Sequence, residues 1–132
     1  MRILVCGGRD YGEYKWPMKQ SDPKDVECIE GQIKLLQDKL KELADEFGRI
    51  EIIEGGARGA DRHAREWAIS NNIKFSTFHA DWGQYGKRAG ILRNIEMLER
   101  GDPVLVIAFP GRRGTAHMVG IAKKAGVKVI EV

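Results

Sequence analysis

Arginines stand beside glycines, carboxylates and hydroxyls in a few short stretches of this chain: Gly7-Gly8-Arg9-Asp10, Gly55-Gly56-Ala57-Arg58-Gly59-Ala60-Asp61, His79 to Gly90, and Pro110-Gly111-Arg112-Arg113-Gly114-Thr115. Glycine lets a ligand come close to the main chain, and the planar fork of arginine matches phosphate oxygens. The last stretch carries the most definite chemistry. The apolar run Val104 to Phe109 is broken by Pro110 and Gly111, and Gly114-Thr115 then opens the helical pattern of Ala116, Val119, Ile121 and Ala122. A glycine loop therefore joins the carboxyl end of a strand to the amino end of a helix. The first N–H groups of a helix lack internal partners and carry about half a positive charge between them, so anions bind there. The chemistry expected of Pro110 to Thr115, with Arg112 and Arg113, is capture of the phosphate of a nucleotide or nucleotide-like ligand. A tight βα turn with solvated arginines is the other reading of this motif taken alone.

The remaining loops extend the expectation. Gly7 and Gly8 bring Arg9 to a strand end as a further charge contact, although an ion pair with Asp10 or Asp61 suits Arg9 almost as well. Gly55, Gly56 and Gly59 let the second loop approach ribose or phosphate, and Arg58 adds charge. Asp61 caps a helix or binds sugar hydroxyls. Trp82 stacks on a base or anchors its own loop. Lys87, Arg93 and Asn94 complete the set.

Composition narrows the classes. With 42% hydrophobic and 31% charged residues in 132, the chain is an ordinary globular domain, neither disordered nor fibrous. A net charge of +3 does not demand nucleic acid, and the basic residues matter more by position than by total. Cys6 and Cys28 form no CxxC pair, and His63, His79 and His117 lack metal-ligand spacing, so no metal is expected. Cys6 lies in an apolar strand pattern and reads as a buried free thiol, which favours a reducing compartment. The first glycines come too early for the apolar core of a signal peptide. The expectation is a cytoplasmic protein without a membrane partner.

Elements must position these loops. Ile3 to Cys6, Ile50 to Glu54, Ile73 to Phe78, Val104 to Phe109 and Val127 to Val132 read as strands. Asp22-Pro23 starts a long helix whose stripe Val26, Ile29, Ile33, Leu36, Leu40, Leu43 and Phe47 is core. Ala60, Ala64, Trp67 and Ala68 mark a second helix, Ile91, Ile95 and Leu98 a third from about Ile91 to Arg100, and the pattern after Gly114 a fourth. Tyr11, Tyr14, Trp16 and Pro17 fall in an aperiodic segment that either lids a flat ligand or covers the core's edge. Strands alternating with helices predict an α/β fold: one domain over residues 1–132, a Rossmann-like doubly wound parallel sheet of about five strands with helices on both faces. All four unusual loops then lie at the strands' carboxyl ends, where ligands collect in such sheets.

Taken together, Val5-Cys-Gly-Gly-Arg-Asp10, Ile53-Glu-Gly-Gly-Ala-Arg-Gly-Ala-Asp61, Gly86-Lys-Arg-Ala-Gly90 with Arg93-Asn94, and Phe109-Pro-Gly-Arg-Arg-Gly-Thr115 resemble the SLOG superfamily. That superfamily includes the DprA and Lonely Guy (LOG) proteins and the YspA/YpsA-related group common in bacteria and phages. The resemblance implies a Rossmann-like fold that binds nucleotides or nucleotide-derived molecules, and relatives that commonly pair through helices imply a homodimer. It implies no cofactor beyond a nucleotide ligand. LOG enzymes release a base from a nucleoside 5′-monophosphate and carry Pro-Gly-Gly-x-Gly-Thr-x-x-Glu. Here the second glycine is Arg112 and the glutamate position holds Met118. N-glycosidic cleavage needs anionic help for an oxocarbenium-like centre or a base for water, and methionine supplies neither. Nucleotide binding therefore leads. A LOG-like phosphoribohydrolase follows, with Asp61, Asp81 or Glu54 as substitute carboxylate and no catalytic residue assigned. A single-stranded DNA-binding module, as in DprA-like relatives, comes third.

Overall fold

The computed structural model describes residues 1–14 and 23–132. Trp16, Pro17 and the Asp22 cap lie outside them. Short apolar runs flanked by glycine or proline become the strands β1 (Arg2–Cys6), β2 (Glu51–Glu54), β3 (Phe75–Thr77), β4 (Leu105–Ala108) and β5 (Lys128–Glu131). Between them run the helices α1 (Pro23–Phe47), α2 (Ala60–Ser70), α3 (Trp82–Tyr85), α4 (Ala89–Gly101) and α5 (Arg113–Lys124), with a 3-10 turn over Gly86–Arg88 joining α3 to α4. The five strands form one all-parallel sheet in the order β3-β2-β1-β4-β5. The order reverses between β1, which pairs Ile3 with Leu105, and β4, so the loops leaving these two strands part in opposite directions and open a crevice.

Successive strand residues point to opposite faces, and each face finds its own helices. Ile3, Val5, Ile52 and Ile107 pack with Leu36, Leu40 and Leu43 of α1 and with Ala64 and Trp67 of α2. Leu4, Ile53, Val106 and Ala108 pack with Met97 of α4 and with Met118, Val119 and Ala122 of α5. The fully buried Leu36 and Leu40 each contribute about 1.5–3 kcal/mol of transfer free energy. This α/β sandwich is the Rossmann-like architecture expected of the chain.

The structure departs from the periodicity at three places. Only the middle of the α1 stripe is core: Val26 and Phe47 at its ends are exposed and Ile29 and Ile33 half-buried, because the helix outruns the sheet it covers. The polar loop after β3 contains helix, with α3 capped by Asp81, whose carboxylate accepts from the Gln84 N–H at 3.1 Å. Helix α4 starts two residues before the predicted Ile91 and turns Ala89, Asn94, Met97 and Gly101 inward, leaving Ile91 and Ile95 exposed. Among the described residues no helix is long and apolar enough to cross a membrane.

Candidate functional site

At the reversal point the loops after β1 and β4 touch through their first residues before they diverge. The Gly8 N–H donates to the Pro110 carbonyl at 2.9 Å, and the Gly8 carbonyl accepts from Ala60 N–H at 3.2 Å. A β-carbon on Gly8 would stand 2.9 Å from the Pro110 oxygen, and one on Gly111 would run into the Thr115 hydroxyl. These glycines are thus demanded by loop-on-loop packing, whatever else approaches them. Beyond the crossing, α5 begins. Its cap, Arg112, offers no side-chain bond to the helix, its first turn holds no acidic residue, and Arg112, Arg113 and Gly114 are exposed. The positive end of the helix dipole is left without a neutralising carboxylate of its own.

That end opens into a cleft of about 860 Å3. Pro110 to Thr115 form one wall, and Gly7, Gly8 and Arg9 the adjoining one. Arg58 and Asp61 reach it from the β2–α2 connection, and Trp82, Lys87, Arg93 and Asn94 from the far side. Gly55 and Gly56 instead line a neighbouring compartment, and Gly59 lines neither, being packed against the Gly8–Arg9 backbone. Arg9 pairs with neither Asp10 nor Asp61 among the described ion pairs; its guanidinium lies 5.2 Å above the centre of the Trp82 ring, and the ring's edge rests against Gly90. Asp10 pairs with Arg58 at 3.7 Å, both well exposed.

Beneath the cleft lies a polar layer that no single segment reveals. Arg93 donates through Nη1 to the Gly55 carbonyl at 2.5 Å and through Nε to Asn94 Oδ1 at 3.2 Å. Asn94 in turn donates through Nδ2 to the Gly114 carbonyl at 3.1 Å and stands 3.1 Å from His117 Nδ1, which ties α4 to the first turn of α5. Glu54 is fully buried, accepting from Gly56 N–H at 2.6 Å and from the Thr77 hydroxyl, with Arg65 at 3.6 Å. Asp61 does not cap its own helix. It folds back to accept from the N–H groups of Gly55 at 3.2 Å and Ala57 at 3.3 Å, so it shapes the second glycine loop from below.

Burial first, then the nearby Glu54, push the Asp61 carboxyl from 3.8 up to about 7, against the pull of Arg93 and the two N–H donors. A raised native value means the folded state holds a proton that the unfolded chain has lost between about pH 4 and 7. The resulting stability is fully present below that window and disappears as pH rises through 7. In urea titrations from pH 5 to 8, wild type should lose stability relative to Asp61→Asn by at most about 1.4 kcal/mol per pH unit. A difference constant across that range would contradict this assignment. The Cys6 thiol, also at the cleft floor, is pushed up to about 12, chiefly by burial, and is not a nucleophile at neutral pH.

Several contributors carry no sequence signal. Glu13 accepts from Gly59 N–H at 2.8 Å and pairs with Arg62 at 2.9 Å, while Gln32 of α1 accepts from Gly12 N–H at 2.8 Å and lines the cleft. Their partners are distant in the chain, so no spacing points to them. His117 was within reach, standing one turn beyond the Gly114 helix start. Met118, at the LOG glutamate position, lies on the buried face of α5 in the core and lines neither compartment.

Residues 1–85 match the family described as YAcAr, the YspA, cpYpsA-related SLOG family. The loops from Gly86 onwards, including Pro110 to Thr115, lie beyond that match. The chain is also similar to the gene 61 protein of Mycobacterium phage D29, 46% identical over 99 residues that cover 67% of this chain and 78% of that protein. No solved structure matches.

Proposed function

Since the chain belongs to the YspA, cpYpsA-related SLOG family, whose membership together with the parallel sheet supports a nucleotide-related ligand-binding role in general, we propose that it binds a nucleotide or nucleotide-derived molecule across the carboxyl edge of that sheet. The observation that carries this reading is the uncapped amino end of α5, with exposed Arg112 and Arg113, opening into the cleft at the point where the strand order reverses. The phosphate sits on the N–H groups of Arg113 to Thr115, and the arginines close on its oxygens. Asn94 contributes indirectly by holding the Gly114 carbonyl, and so the first turn, in place.

Replacing Arg112 and Arg113 together by alanine should weaken the binding of nucleoside monophosphates about ten- to a hundredfold, since a hydrogen bond to a charged group contributes about 1.5–3 kcal/mol and these side chains are exposed. Calorimetric titration with a nucleoside monophosphate panel measures it. Unchanged affinity in a folded double variant would put the phosphate elsewhere.

One observation favours a second reading, a phosphoribohydrolase acting on a nucleoside 5′-monophosphate. Of the three carboxylates considered, Asp81 is spent capping α3 and Glu54 lines neither compartment, whereas Asp61 lines the cleft and titrates near neutrality, as a general acid requires. Release of ribose 5-phosphate that is abolished in Asp61→Asn would support it.

A further inference from the structure

Two compartments adjoin at the sheet edge, and the stacked Arg9 and Trp82 line both. One is the cleft at α5. The other, of about 570 Å3, lies over the β2–α2 loop, where Gly55 to Ala57 form its floor and His79 and Arg58 its sides. Arg9, Arg58, Trp82 and Arg93 line both.

Three arginines line the second compartment, and the carboxylates of Asp61 and Glu54 beneath its floor balance them only in part. Arg9, Arg58, Arg93 and His79 face it, and no carboxylate lines it. Arg58 has only the exposed, 3.7 Å pairing with Asp10, and Arg9 has no carboxylate within ion-pair distance among the described residues. Arg93 turns its Nη1 to a carbonyl. The pKa of Arg93 is lowered first by burial, which Asp61 opposes, and then by the nearby Arg9, so an anion placed between the two guanidinium groups relieves their repulsion. The N–H groups of Gly55, Gly56 and Ala57 in the floor are taken by Asp61 and Glu54, so the compartment offers an anion its side chains.

We propose that this compartment is a second anion subsite, so that the ligand is a nucleotide-derived molecule with a second phosphate, either across its ribose or joined directly to the first: one phosphate at α5, the other among Arg9, Arg58, Arg93 and His79. The inference rests on the binding role proposed above. Both a nucleoside 3′,5′-bisphosphate and a dinucleotide joined through 5′ phosphates have this chemistry. The two are separated by the length of the link.

The test is calorimetric titration of the full chain with nucleoside 5′-monophosphates, the matching 3′,5′-bisphosphates and the matching 5′,5′-diphosphate-linked dinucleotides. One of the two sets with a second phosphate should bind about tenfold tighter than the monophosphate or better. His79→Ala should leave monophosphate affinity unchanged and reduce that preference, and Arg58→Ala added to it should bring the preference below about threefold. Monophosphate binding with no gain from either second phosphate, or a gain that survives the double variant, overturns the second subsite while leaving the first reading standing. Absence of binding by any of the three sets overturns both. Circular dichroism of each variant separates loss of fold from loss of binding, since His79 and Arg58 are exposed.

Discussion

Gly59→Ala is expected to destabilise the protein by about 4 kcal/mol and to lower its melting temperature by about 10 °C or more. Gly59 sits at φ 80°, ψ −132°, a region open to glycine and strained for any residue with a β-carbon. A β-carbon there would also collide with the Gly8 carbonyl oxygen and stand 2.7 Å from the Arg9 backbone. Neither neighbour can yield cheaply. Both are main chain, and Gly8 is already bonded to Pro110, Ala60 and Tyr11. Relief by moving Gly59 would break its N–H bond to Glu13 and with it the tie between the β1–α1 and β2–α2 loops. The control is Gly120→Ala in α5, where a β-carbon meets nothing within 4 Å and the substitution should stabilise by up to about 1 kcal/mol. Urea or thermal unfolding of the two variants decides the matter. Equal effects would mean that the loop crossing contributes nothing beyond the ordinary cost of changing a glycine.

Arg93→Met should cost about 3 kcal/mol at pH 8 and less at pH 5, because it removes the cation from a layer that keeps two buried carboxylates. Burial lowers the Arg93 guanidinium's own proton affinity, and Asp61 opposes that, so the pair is mutually supporting. Without Arg93 the Asp61 carboxyl loses a partner that holds its value down, and its titration moves above about 7. At pH 5 Asp61 is protonated in either protein and the loss reduces mainly to the bond to the Gly55 carbonyl. The double variant Arg93→Met/Asp61→Asn should recover part of the deficit at pH 8, giving a coupling energy that fades at low pH. A deficit independent of pH, with no coupling, would show that Arg93 acts by packing alone.

Both predictions concern the β2–α2 loop, and that loop shows how far residue patterns reach. Its glycines announce a special turn immediately after an apolar run, and Asp61 stands where a helix start calls for a carboxylate. The pattern does not say that Asp61 bends back to the loop's own N–H groups, or that Arg93, 38 residues from Gly55, holds the loop's carbonyl. Likewise the spacing of Ile91, Ile95 and Leu98 marks a helix correctly but not its rotation: the inward face carries Asn94 and Met97, and Asn94 bridges to the first turn of α5.

What the residues determined by themselves is local and repetitive. Short apolar runs followed by glycine and then by helical periodicity dictate alternating strands and helices, and such alternation places every strand's carboxyl end on one edge. The arginine-bearing loops after the strands are therefore gathered along that edge. Tertiary structure alone decided the rest: which loops lie on which, that Arg9 covers Trp82, that Glu13 restrains Gly59, and that two carboxylates and a guanidinium share a buried layer. These depend on contacts between elements tens of residues apart, and burial and charge act through distance in space, which the order of residues along the chain does not encode.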